Sequence, residues 1–257
     1  MTDSLDKLIA DAEKRIARGY YDVNVEVDHE HLSLLRAIKS SNHNAIIAEI
    51  KPKSPARGAL RARLDPKEAA IQIARGGATG LSVLTEPENF GGTIESLVQI
   101  RPVIDIPLLM KDVVLDEQQI DAARNSGADC VLLMLSALIR KGIQPTDLID
   151  KAHSVHLETI LEVHDIKELE QASETDAEII GINNRNLKDL AIDLNTTTKL
   201  LGSVPQVQDR TIISESGLET IEDIRRLKRT HVDGFLIGSS IMLATDLTSK
   251  VREFVYA

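Results

Sequence analysis

The stretch "GGATGLSVL" (76–84) returns three times along the chain, as "SGADCVLLM" (126–134), "TDAEIIGIN" (175–183) and "THVDGFLIG" (230–238). Each copy is a small or polar turn followed by an apolar run of strand type. Aligned on Ala78, Ala128, Ala177 and Val232, the copies stand 50, 49 and 55 residues apart. That interval is about twice the length of a βα unit, so a further strand belongs inside each gap. "IPLLMKDVV" (106–114), "LETILEV" (157–163) and "RTIISES" (210–216) supply them, and "AIIAEIK" (45–51) precedes them all, giving eight strands.

Helix-like stretches lie between. "DPKEAAIQIARGG" (65–77) opens with Asp65 as N-cap and Pro66 at the first helical position, and ends on glycine. "DEQQIDAARNSG" (116–127) and "TIEDIRRLKRTHV" (220–232) share its apolar spacing. The strands are near-continuous apolar runs, as in a parallel sheet covered on both faces. The expected fold is α/β: a (β/α)8 TIM barrel with an N-terminal helical extension. One domain is expected over residues 1–257, the extension occupying 1–44 and eight βα units 45–257. An open doubly wound sheet is the alternative. The glycines at 76, 77 and 80 precede a strand instead of following one, so they are no dinucleotide fingerprint. In the extension, "SLDKLIADAEKRIARGY" (4–20) places Leu5, Leu8, Ile9, Ala12 and Ile16 at helical spacing, suited to covering one end of a barrel.

Composition narrows the function. A net charge of −10 argues against a nucleic-acid or anionic-membrane binder. Aromatic residues are 2% of the chain and tryptophan is absent, so base stacking is not expected. Cys130 is the only cysteine, which excludes an intrachain disulfide and a cysteine-cluster metal site. "MTDSLDKLIADAEKR" (1–15) lacks the apolar core of a signal peptide, and no run approaches membrane-spanning length. The expectation is a cytoplasmic protein.

Polar residues at the C-terminal ends of barrel strands carry function, because the active site forms on that face. The first strand ends with Glu49 and Lys51, followed by Lys53 and Ser54. Residues two apart in a strand face the same way, so Ala45, Ile47, Glu49 and Lys51 share one face. The third strand ends at Lys111 and Asp112, the fifth at Glu162, the sixth at Asn183 followed by Arg185, and the seventh at Glu215 and Ser216. Burying unpaired charges is costly, so a ring of acids and lysines at one end of an apolar barrel points to chemistry. "SESGLE" (214–219) and "GSSIM" (238–242) are small-residue turns expected to open onto helices after the last two strands, where barrels commonly hold phosphate. Lys53, Ser54 and Arg185 could complete such a site.

Other candidates are weaker. His29 and His31, and His153 and His156, show no carboxylate or thiol partners near a strand end, so no metal site is expected. Asp112 points away from Lys111 and suits orienting a loop. Ser216 lacks a strand-end histidine to activate it. Met110, Met134 and Met242 suit the core, and Cys130 lies inside a strand instead of at its end.

"IIAEIKPKSPARG" (46–58), "LTEPENFGG" (84–92), "LLMKDVV" (108–114), "LEVHD" (161–165), "IGINNRNL" (180–187), "ISESGL" (213–218) and "GFLIGSSIM" (234–242) together resemble indole-3-glycerol phosphate synthase, from about residue 5 to the C-terminus. The resemblance implies a carboxy-lyase of tryptophan biosynthesis. Such an enzyme closes the ring of 1-(2-carboxyphenylamino)-1-deoxyribulose 5-phosphate and removes CO2 and water, without metal or organic cofactor. It implies Lys111 as general acid, Glu162 as general base, and Lys51 as carboxylate ligand and second proton donor. Glu49, Asn183 and Glu215 would position these groups. Lys53, Ser54, Arg185, Ser216, Gly217, Gly238 and Ser239 match the phosphate-binding positions, and Phe90 and Leu187 would face the anthranilate ring. Val113 stands where the family commonly has phenylalanine, and Ala56 where it has a hydroxyl residue. The rivals are an isomerase such as phosphoribosylanthranilate isomerase, and a barrel that only binds a phosphorylated metabolite.

Overall fold

The computed structural model describes residues 4–55, 57–61, 64–207 and 209–257; Ala56 lies outside them. Eight strands close into a barrel: β1 Ala45–Ile50, β2 Gly80–Leu84, β3 Leu108–Lys111, β4 Cys130–Met134, β5 Glu158–Val163, β6 Ile179–Asn183, β7 Thr211–Glu215 and β8 Gly234–Ile237. Neighbours pair parallel in chain order, and β8 closes the ring on β1 through Ala45–Gly234 and Ile47–Leu236. The expected barrel is therefore present, its strands inside the ranges marked by the apolar runs.

The strand alternation sorts the core into two layers. Ala45, Ile47, Leu109, Cys130, Leu132, Ile160, Ile179, Ile213 and Leu236 pack together inside the barrel. Their neighbours in sequence, such as Ile46, Ala48, Leu108, Val131 and Leu161, pack outward against the helices. Removing this aliphatic surface from water, at roughly 25 cal/mol per Å², is the main force closing the fold. The helices begin where their caps dictate. Asp65 accepts from the backbone N–H groups of Lys67 and Glu68, and Asp116 and Thr220 form capping boxes with Gln119 and Asp223.

The leading helix covers one end of the barrel, as expected, and a second helix of the extension covers the other. Helix α1 (Ser4–Ala17) lies over the C-terminal mouth, and helix α2 (Leu34–Lys39) seals the opposite end. Leu34 and Ile38 join the interior cluster, with Leu34 lying over Gly80, where a Cβ would come within 2.7 Å of it. The histidine pairs belong to this scaffold. His29 Nε2 stands 3.2 Å from Asp129 Oδ1, His31 Nε2 stands 3.1 Å from the Asp129 carbonyl, and His153 Nε2 stands 2.8 Å from Glu178. Their carboxylate partners come from residues distant in sequence. Cys130 opens its strand at the end far from the mouth, fully buried. No helix among the described residues is long and apolar enough to cross a membrane.

At the mouth, α1 carries a buried guanidinium. Arg15 is fully enclosed and donates to Glu86 at 3.0 Å, Glu88 at 2.8 Å, Asp112 at 2.9 Å and the Tyr21 hydroxyl at 3.0 Å. Asp112 also accepts from Tyr21 and Thr85. It thus ties the loops after β2 and β3 to the extension, with its side chain turned away from that of Lys111.

Candidate active site

Inside the barrel the aliphatic positions give way to charge one step further along the strands. Glu49 follows Ile47, Lys111 follows Leu109, Glu162 follows Ile160 and Glu215 follows Ile213, each two residues on and so facing inward. They meet in a cavity of about 270 Å³ whose wall includes Glu49, Lys51, Lys111, Glu162, Asn183 and Glu215. Lys111 Nζ lies 2.7 Å from Glu215 Oε2 and 3.1 Å from Glu162 Oε2, and Lys51 Nζ lies 2.5 Å from Glu49 Oε1. Glycines make the room. A Cβ on Gly181 would stand 2.2 Å from Glu215 Oε1, and one on Gly238 would stand 2.3 Å from Glu49 Oε1.

Burial disfavours the charged form of Lys111, but Glu215, Glu162 and Glu49 outweigh it and hold the ammonium well above the ordinary lysine range. The two glutamates divide. Burial would raise Glu162, yet Lys111 and His164 hold it far below the usual carboxylate range. Glu215, buried and facing the charge of Glu162, is pushed up to about 7 despite Lys111. Two carboxylates on one lysine thus differ sharply in their hold on a proton, the pattern that separates acid and base roles.

The remaining candidates distribute around the same cavity. Ser54, Phe90, Arg185 and Leu187 line it, as do the turns at Ser216–Gly217 and Gly238–Ser239. Lys53 does not; its Nζ reaches the Glu88 carbonyl at 3.0 Å on the exposed rim. Ser216 and Gly217 both take left-handed backbone, with φ of 66° and 82°. That conformation is uncommon for a serine and is held by Asn184, whose side-chain amide donates to the carbonyls of Glu215 at 2.9 Å and Ser216 at 3.1 Å. The turn does not open onto a helix: the next one starts only at Ile221, capped by Thr220. After β8 the helix Ser239–Met242 does begin at the mouth, with Gly238 before it. Arg185 is disfavoured as a cation by its burial and by the nearby Arg57.

Several wall residues were not anticipated. Met134 packs against the core and also lines the cavity, and Leu8 from α1 lies in the wall with Phe90 and Val113. Leu190 and Ile192 lie in the wall too, on the loop after β6, where Arg185 Nη1 donates to the Leu190 carbonyl at 2.9 Å. His164 stands behind Glu162, and its signal was available: it follows Glu162 by two residues, the spacing that also joins Glu49 and Lys51.

A closed parallel barrel with paired lysines and glutamates inside its mouth places the chain in a class, the (β/α)8 barrels that gather charged side chains at the C-terminal ends of their strands. The sequence profile described as indole-3-glycerol phosphate synthase matches residues 3–254, and the chain belongs to that family. It is 38% identical over 226 residues to the indole-3-glycerol phosphate synthase of Acetivibrio thermocellus, covering 88% of this chain and 85% of the relative. To that of Methanocaldococcus jannaschii it is 40% identical over 268 residues, covering 98% of each. Among solved structures, thiamine phosphate pyrophosphorylase from Pyrococcus furiosus matches with a TM-score of 0.59 at 18% identity, over 86% of this chain and 96% of that one. That likeness is one of fold alone.

Proposed function

We propose that this cavity carries out the family's reaction on 1-(2-carboxyphenylamino)-1-deoxyribulose 5-phosphate, closing the indole ring with loss of CO2 and water, and that Lys111 is its general acid. The supporting observation is Lys111 Nζ within 3.1 Å of Glu162 and 2.7 Å of Glu215 on the floor of the cavity. In ring closure the aromatic carbon bearing the carboxylate attacks the ketone carbon, and negative charge builds on the ketone oxygen. An ammonium already in place stabilises that charge without reorganisation. A lysine held by two carboxylates is a weak acid, so it yields its proton only as that oxygen becomes alkoxide-like. Positioned proton transfer of this kind contributes about 10²–10⁴-fold.

The other roles are those that the family resemblance implies. Lys51, steadied by Glu49, takes the substrate carboxylate and later gives a proton to the departing hydroxyl. Glu162 takes up the ring-side proton as aromaticity returns. Asn183 and Glu215 hold the intermediates between them. Arg185, Ser54 and the turns at Ser216–Gly217 and Gly238–Ser239 receive the phosphate, with Lys53 at the rim. On the opposite side of the barrel mouth, Leu8, Phe90 and Val113 receive the aromatic ring, with Leu187 adding apolar wall on the loop after β6. Incubation of the protein with this substrate, read by indole fluorescence and by CO2 release, tests the proposal. Equal amounts of both products are expected. Substrate binding with neither product would leave a barrel that only binds a phosphorylated metabolite.

A further inference from the structure

His164 is an ionisable group packed behind Glu162 that the reaction above leaves without a task. Its place is well defined. The residue leaves β5 immediately after Val163, and its backbone N–H donates to Glu168 Oε2 at 2.7 Å. Its Nδ1 lies 3.2 Å from that same oxygen, and its Nε2 lies 3.3 Å from Glu162 Oε1. Neither Glu162 Oε1 nor His164 Nε2 makes a hydrogen bond to another protein group, so the two buried atoms face each other as an ion pair. The carboxylate of Glu162 thus lies between two cations: Lys111 on its Oε2 and His164 on its Oε1.

We infer that His164 is a positioning residue whose imidazolium keeps Glu162 ionised and in place during the step in which Lys111 loses its charge. The inference rests on Glu162 being the general base. As the new carbon–carbon bond forms, the proton on Lys111 Nζ passes to the ketone oxygen, and the lysine becomes a neutral amine. Glu162 and Glu215 then face each other without their shared cation. Two buried carboxylates at close range do not both stay ionised unless another positive charge is near. His164 supplies that charge from the far side of Glu162, outside the path of the substrate. Of the two carboxylates, Glu215 is the one that holds a proton more readily, pushed up to about 7 by burial and by Glu162, so Glu162 stays ionised and free to accept the later one.

The groups facing His164 all favour its charged form. Burial opposes the charge, but Glu162 on β5 and Glu168 on the helix Ile166–Ser173 push the imidazole up to about 10. Lys111, the one cation across Glu162, does not touch the ring. Glu168 also fixes which way the imidazole faces, because both the backbone N–H and Nδ1 of His164 are directed at it.

The test pairs kinetics with a direct reading of the imidazole. In the wild-type protein, ¹⁵N NMR of His164 is expected to show both ring nitrogens protonated at pH 8.5, and the Glu162→Gln variant to bring its titration down by about 1–3 pH units. His164→Gln, which keeps a donor but not the charge, is expected to lower kcat about tenfold or more with KM within about twofold, and to move the acid limb of the kcat profile to higher pH. A neutral imidazole at pH 7 in the wild type, or a His164→Gln variant with unchanged kcat and pH profile, would overturn the inference. The wild-type NMR reading needs no variant to fold and no turnover. It therefore stands apart from the assay on which the proposed reaction depends, where failure would appear as a wild-type protein that forms no product.

Discussion

The Nζ of Lys111 and the Oε2 of Glu215 stand 2.7 Å apart at the floor of the barrel mouth, yet Glu215 is the carboxylate that holds a proton to about pH 7. Burial is the first cause and the neighbouring Glu162 adds to it. An unperturbed glutamate ionises near 4.3. Between about 4.3 and 7 the folded protein therefore binds more protons at this site than the unfolded chain, and stability from this group is lost as pH rises through that window. Glu215→Gln removes the slope. Between pH 5 and pH 8 the unfolding free energy from urea titrations is expected to fall less in the variant, by an amount on the order of 2–3 kcal/mol. Equal falls would mean that Glu215 ionises like an ordinary carboxylate.

Arg15 couples the extension to the site. Its guanidinium is fully enclosed with Glu86, Asp112 and Tyr21, and Glu88 lies at its edge. Arg15→Leu leaves Glu86 and Asp112 buried without their cation, a loss of about 3–5 kcal/mol. It also loosens α1, which carries Leu8 into the cavity wall. A lower denaturation midpoint together with a raised KM is the expected pairing. A variant as stable as the wild type would contradict the role given to this cluster.

Gly238 separates effects on the site from effects on the fold. A Cβ there would stand 2.3 Å from Glu49 Oε1 and 3.0 Å from Lys51 Nζ, both ends of flexible side chains. The backbone at Gly238 has a negative φ, so alanine adds no conformational strain. Gly238→Ala is expected to cost under about 1 kcal/mol of stability, as for changes that leave the core intact, while turnover falls at least tenfold as the Glu49–Lys51 pair is displaced. Thermal melts and steady-state kinetics on one preparation decide it.

The barrel was legible because its strands are unbroken apolar runs and its helices announce their own caps. Glu49 was legible as inward-facing because strand alternation is a local rule. Arg15 was not. On a helical projection it sits beside the apolar stripe of Leu5, Leu8, Ile9, Ala12 and Ile16 and reads as a solvated charge. Its burial is dictated by Glu86 and Asp112, 71 and 97 residues away. The histidine tethers were hidden for the same reason, Asp129 and Glu178 being residues distant in sequence that stand just before β4 and β6. The chemistry of Met134 suits the core, and it does pack there, but it follows Leu132 inward by two residues and so also reaches the cavity. The "SESGLE" segment suggests a helix start because small residues open helices after strands. The left-handed backbone at Ser216 and Gly217 instead turns the chain across the mouth.

Single-turnover kinetics with the carboxyphenylamino-deoxyribulose phosphate, comparing wild type with Lys111→Ala and Glu162→Gln, tests the acid and base assignments most directly. Wild-type conversion that falls by about 10²-fold or more in each variant, with substrate binding retained, is the expected result. Conversion that survives Lys111→Ala at near the wild-type rate would contradict the assignment of Lys111 as the acid and move the chemistry to the Glu49–Lys51 pair.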